Sequence, residues 1–246
     1  MKIYPLSEGK FTVDQSKQFI PFNVEKDNLR ERSKGSLLVE IQPFVVVTSR
    51  DIILLDTGLG FENSDGEMQI LANLRAVGID PENVSKVLIS HLHKDHAGGI
   101  LMANKTKPGF QNAIYYINSQ EWELAFSGKS SSFFTRDFEA LRDSDQLILL
   151  EGNGTIEDYI AYQITGGHSQ FHQVFTINED SEIIFFAGDE APQLQQMKHK
   201  FKAKYDFDGE IAMELREKWW KQGTEADWTF LFYHDIANPS FKASSA

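Results

Sequence analysis

The chain has 246 residues, 41% hydrophobic and 24% charged, which is the usage of an ordinary globular protein rather than of a disordered or fibrous chain. With 24 Lys and Arg against 36 Asp and Glu, the formal net charge is −12, a balance that argues against nucleic acid or an anionic membrane as partner. Cysteine is absent, so disulfides, thiolate metal sites and cysteine nucleophiles are excluded, and any metal must rest on His and carboxylates.

The N-terminal stretch MKIYPLSEGKF carries no uninterrupted apolar run. It predicts neither a secretory signal nor a membrane span, so the expectations are a cytoplasmic location and one domain over 1–246. From Ser36, SLLVEIQPFVVVTSRDIILLDTG is rich in Val, Ile and Leu and is broken at Pro43 and at Ser49-Arg50-Asp51. That pattern predicts successive strands joined by a tight turn and ending at Asp56-Thr57-Gly58. Between Glu67 and Val77, Ile70, Leu71, Leu74 and Val77 recur at helical spacing, and GIDPENV closes the element.

A strand over Lys86 to Ser90 then runs into HLHKDHAGG. Ala113 to Ile117 reads as a strand, Ser119 as the N-cap of a helix around Glu121 to Phe126, and Ser127 to Thr135 as a loop before another helix. Further strands are expected near Gln146 to Leu150, Ile160 to Thr165, Val174 to Ile177, Ile183 to Ala187 and Thr229 to Tyr233, with a helix between Glu210 and Lys221. Strands and helices alternate, but many strands follow one another through short turns, which predicts α/β layers built on mixed sheets.

The chemistry is concentrated in His91-Leu92-His93-Lys94-Asp95-His96. A strand would turn His91 and His93 to one face, and a chain entering a helix at Asp95 can return Asp95 and His96 toward the same point. Imidazole nitrogen and carboxylate oxygen are the donors that Zn(II) favours, and this many of them together would repel or desolvate one another unless a cation held them. Gly98 and Gly99 allow backbone to pass close to such a site.

HLHKDHAGG resembles the HxHxDH motif of the metallo-β-lactamase fold superfamily. The likeness extends through LLDTG ending at Gly58, TGGHS around His168, FFAGDE around Asp189 and FYHD around His234, so that five of the seven His fall on motif positions. The resemblance implies a four-layered αββα sandwich of two mixed β-sheets flanked by helices. It also implies two divalent metal ions, zinc by donor type with Mn or Fe as alternatives, on His91, His93 and His168 and on Asp95, His96 and His234, bridged by Asp189. Asp56 and His172 would stand behind these ligands and orient them. Water activated by the metals would attack the substrate, with Asp95 or Asp189 taking its proton; no GxSxG elbow offers a competing nucleophile.

Within that superfamily the absence of Cys removes a ligand that the major antibiotic-hydrolysing groups use. The layout is most similar to the branch of N-acyl homoserine lactonases and methyl parathion hydrolase-like enzymes, which implies a small-molecule lactone or ester as substrate. A glyoxalase II-like thioesterase, a phosphoesterase and a metal-binding sensor without turnover are the alternatives. The lactonases carry a Tyr where this chain has Pro192, and Tyr205 is weighed as a substitute against ordinary packing. Phe19, Ile20 and Phe22, or Phe133 and Phe134, are candidates for an acyl pocket. His199, in QQMKHKFKAK, reads as solvated surface, and that run is also considered as a source of positive charge for the substrate cleft. The fold often forms dimers, and a homodimer is left open.

Overall fold

A computed structural model describes residues 1–243. In chain order the elements are β1 (Lys2–Pro5), β2 (Gly9–Val13), β3 (Ile20–Pro21), β4 (Leu37–Ile41), β5 (Phe44–Val47), β6 (Ile52–Leu55), α1 (Gln69–Ala76), β7 (Lys86–Leu88), α2 (Lys94–Ala97), β8 (Ile114–Asn118), α3 (Ser119–Phe126) and β9 (Leu147–Leu150). There follow β10 (Gly154–Ile156), β11 (Ile160–Ile164), β12 (Gln173–Glu179), β13 (Glu182–Phe186), α4 (Leu194–Lys198), α5 (Gly209–Glu225), β14 (Thr229–Leu231) and β15 (Ser240–Lys242).

Two six-stranded sheets, β1-β5-β6-β7-β8-β9 and β10-β11-β12-β13-β14-β15, face each other, and β3-β2-β4 form a small third sheet. Pairing is parallel among β6, β7, β8 and β9 and between β13 and β14, and antiparallel elsewhere. Both large sheets are therefore mixed.

The period-two alternation of each strand builds the layers. Val45, Leu54, Val87 and Tyr115 point to a core shared with Ile70, Leu74 of α1 and Trp122 of α3. Phe44, Val46, Ile53, Leu55 and Leu88 point the other way, against Phe175, Ile177, Ile184 and Phe186 of the second sheet. The outer face of that sheet, through Val174, Phe185 and Phe230, packs on Leu194 and Met197 of α4 and Trp219 of α5. The result is the αββα sandwich.

Several local expectations are revised. Asn118, not Ser119, caps α3, because its side chain accepts from the amides of Gln120 and Glu121 while Ser119 is already helical. The helix expected after Thr135 is two short 3₁₀ turns, Thr135–Asp137 and Glu139–Asp143. β7 stops at Leu88, since the Ser90 amide donates to the Asp56 carboxylate rather than to a neighbouring strand, so His91 and His93 stand on a loop. The short strands β1, β2, β3, β10 and β15 and the helix α4 lie in stretches for which the sequence pattern predicts no element. Among the described residues, no helix is long and apolar enough to cross a membrane.

Candidate metal centre

The loops after β6, β7, β11, β13 and β14 all open at one edge of the sandwich. Asp56 follows β6 in a left-handed conformation (φ 57°), which aims its carboxylate under the 90–96 loop. Gly60, also left-handed (φ 68°), lies against the Gly98 carbonyl so closely that a Cβ would meet it, and a Cβ on Gly99 would meet the Thr57 carbonyl. The two loops thus touch backbone to backbone, which explains the glycine pair in HLHKDHAGG. Gln173, the first residue of β12, joins the sheets at this edge: its amide donates to the Ser90 carbonyl at 2.9 Å and its side chain to the Ile89 carbonyl at 2.8 Å.

Three groups of donor atoms, each within 4.8 Å of one another, converge here: His91, His93 and His168; His91, His96 and Asp189; and Asp95, His96 and His234. Asp189 joins them. Its Oδ2 lies 3.2 Å from His168 Nε2, and its Oδ1 lies 2.9 Å from His234 Nε2 and 3.2 Å from His96 Nε2. Asp95 Oδ2 lies 3.5 Å from His234 Nε2. All seven residues expected as ligands are brought together, buried except for the half-buried His93.

The surrounding hydrogen bonds assign the tautomers. His96 Nδ1 donates to Asp56 Oδ2 at 2.7 Å, His168 Nδ1 to Asp206 Oδ1 at 3.1 Å, and His234 Nδ1 to the Glu40 carbonyl at 2.7 Å. Each Nε2 then faces a carboxylate oxygen of Asp189. Ser90 Oγ donates to Asp56 Oδ2 at 2.7 Å, so at 3.1 Å it accepts from His91 Nδ1, and His91 Nε2 is left buried without a hydrogen bond. A ring nitrogen this close to a carboxylate oxygen needs a positive charge between them, carried by a proton on the ring or by a metal ion. The donor set therefore fits metal ions.

Charge balance follows the same lines. Burial, reinforced by neighbouring imidazoles, holds His91 and His93 well below the usual histidine range. Burial would also depress His96, but Asp189, Asp95 and Asp56 outweigh it and hold that ring well above its ordinary value. Asp189 is buried too, yet His234, His96 and His168 keep its carboxyl well below the ordinary range.

His172 is fully buried, and its Nε2 accepts the Asp189 amide at 3.2 Å, so it steadies Asp189 from behind rather than facing the centre. His199 is exposed. The lysine run around it does not line the centre. Lys198 lies 5.6 Å over the Trp220 ring, Lys200 pairs with Glu217 at 2.9 Å and Lys202 pairs with Glu210, so these side chains fasten the segment to α5. Asp235, next to His234, is buried and accepts from the Leu194 amide at 2.9 Å. Pro192 is buried and presents only its carbonyl, to the His234 amide at 3.0 Å. The Tyr205 ring lies 5.9 Å from that of His168, and Phe133 stands 5.4 Å from His93.

Four contributors were not found from the sequence: Ser90, Glu121, Glu190 and Asp206. Glu190 Oε2 accepts from the His168 amide at 2.9 Å and the Thr165 hydroxyl at 3.0 Å. Nothing local marks Asp206. Two residues on, Asp208 has the same chemistry but caps α5.

Comparison with known proteins supports the fold. The profile of the metallo-beta-lactamase superfamily matches residues 41–234. The N-acyl homoserine lactonase AttM of Azorhizobium caulinodans is 31% identical over 118 residues, a stretch covering 44% of this chain and 41% of that protein. The match thus spans less than half the length of that relative. The N-acyl homoserine lactonase of Bacillus cereus is 25% identical over 225 residues, covering 82% of this chain and 84% of that protein. Among solved structures, a Staphylococcus aureus protein assigned as a metal-dependent hydrolase superposes with a TM-score of 0.81 at 23% identity, over 98% of this chain and 91% of the other. AidC, a dizinc quorum-quenching lactonase, superposes with a TM-score of 0.70 at 20% identity, over 97% and 88%.

Proposed function

The chain belongs to the metallo-beta-lactamase superfamily, and from that premise we propose that it is a metal-dependent hydrolase acting on a lactone or ester of a small molecule. His91, His93 and His168 would hold one divalent ion, Asp95, His96 and His234 a second, and Asp189 would bridge them. The observation that carries this reading is the set of Nε2 atoms of His96, His168 and His234 directed at the two oxygens of Asp189. Zinc is the ion the nitrogen and carboxylate donors suit, in line with the dizinc neighbour. A bound pair of such ions lowers the pKa of water and polarises a carbonyl oxygen.

The chain's own groups would do the rest. Asp95 or Asp189, both carboxylates facing His234 Nε2, at 3.5 and 2.9 Å, would accept or pass on the proton of the attacking water. Tyr205 supplies the hydrogen-bond donor that Pro192 cannot. The residue is 40% exposed, but desolvation at its inner side pushes its hydroxyl up to about 12, so it stays protonated and able to donate at neutral pH. Phe133, beside His93, gives an apolar wall suited to an acyl group. The lactone assignment is supported by the lactonase relatives.

The test is metal content per chain, followed on the same sample by turnover of N-acyl homoserine lactones, aryl esters, thioesters and phosphotriesters. About two ions per chain with lactone or ester turnover is the expected result. Turnover of thioesters or phosphotriesters alone would keep the centre and reject the substrate; no metal after reconstitution with Zn, Mn and Fe would reject the centre. Asp189→Asn should keep the fold while lowering both metal occupancy and turnover, and full occupancy with normal turnover in that variant would defeat the bridge.

A further inference from the structure

Glu121 is a fully buried carboxylate that contacts none of the converging donor atoms. It stands in the first turn of α3, and its side chain reaches two loops at once. Oε1 accepts from the Leu92 amide at 3.2 Å and from the Ser169 hydroxyl at 3.1 Å, and Oε2 lies 3.2 Å from the same hydroxyl. Leu92 separates His91 from His93, and Ser169 follows His168. One side chain therefore ties together the two loops that carry the three imidazoles of one proposed metal position.

The other position is held differently. His96 is oriented by Asp56, His234 by the Glu40 carbonyl, and the Asp95 backbone by the Tyr233 hydroxyl. Asp56 also reaches His91 through Ser90, so it serves both positions, whereas the residues that Glu121 contacts, Leu92 and Ser169, adjoin His91, His93 and His168 directly.

We propose that Glu121 is a positioning residue for one metal position alone, that of His91, His93 and His168. The inference rests on the two-metal reading given above. An ionised carboxylate only accepts, so it fixes the directions of an amide and a hydroxyl that flank the ligands, and its charge behind the imidazoles favours a cation in front of them. An amide side chain would keep the shape, lose the charge and bring new donors against existing ones.

The test is zinc titration of chelator-treated protein against a competing chelator, for wild type, Glu121→Gln and Ser169→Ala, with His93→Ala and His234→Ala as references for each position. The wild type is expected to show two binding events. Glu121→Gln should weaken one of them by about 10- to 100-fold, the loss typical when a group behind a metal ligand is removed, and Ser169→Ala should weaken the same one less. Added to His234→Ala, Glu121→Gln should weaken the event that remains; added to His93→Ala, it should change nothing further. Equal weakening of both events, loss in the His93→Ala background, or wild-type isotherms for both Glu121→Gln and Ser169→Ala in folded protein would each overturn the assignment. A wild type that binds no zinc would overturn the two-metal reading and this inference together, while two events unaffected by Glu121→Gln would overturn this inference only.

Discussion

Asp56 Oδ2 lies 2.7 Å from Nδ1 of His96 and accepts the Ser90 hydroxyl at the same distance, so one buried carboxylate sets the tautomer of His96 directly and that of His91 through Ser90. Asp56→Asn keeps the size but offers an amide that can donate where only acceptance is wanted. Zinc affinity at both positions is expected to fall by about 10- to 100-fold, measured by competition titration, with the circular dichroism spectrum preserved. Unchanged affinity at the His91 position would reject the relay through Ser90, and unchanged affinity at the His96 position would reject the direct role.

Tyr205→Phe removes the hydroxyl of a ring that lies 5.9 Å from that of His168. Turnover of the best substrate is expected to drop about 100-fold, the scale for losing one aligned donor, with zinc content unchanged. Equal turnover in variant and wild type would assign Tyr205 to packing.

Gly167→Ala is expected to be damaging although glycine there has an ordinary backbone. A Cβ would meet Glu190 Oε1 and would lie 2.8 Å from the Ala212 amide nitrogen in α5, so the loop carrying His168 must move. The cost should be about 1 to 3 kcal/mol, read as a lower melting temperature, together with weaker zinc binding at the His168 position.

Glu8 provides a pH test. Burial pushes its carboxyl up to about 8, with the Asp95 charge adding to the effect and the Leu59 amide opposing it. A carboxyl whose folded pKa lies above its unfolded value of about 4.5 stabilises the fold fully below about pH 4.5, and that contribution is lost as pH rises through about 8. Glu8→Gln cannot ionise. Its melting temperature, measured on chelator-treated protein, should gain on the wild type steadily from about pH 5 to 8 and stay level above; a constant difference would place Glu8 outside the titrating groups.

Much of the fold was legible because strand alternation is a local property. Residues such as Val45 and Val46 or Leu54 and Leu55 are neighbours in sequence and enter different cores, and their period alone predicts this. The short strands at the edges were not legible. β10 and β15 contribute three residues each, too few for a period to register, and they are strands because the sheet beside them offers unpaired backbone groups.

The donor set was written in the sequence, because metal-binding side chains are few in type and HLHKDH gathers four of them in one turn of chain. What only the tertiary structure decided was which groups stand behind them. Asp206 meets His168 across 38 residues, Glu121 meets Leu92 across 29 and Ser169 across 48, and Asp56 meets His96 across 40. A hydrogen bond depends on where two atoms stand in space, and no residue's own neighbourhood encodes the position of a partner on another loop. The identity of the candidate ligands is a property of the chain; their aim is a property of the fold.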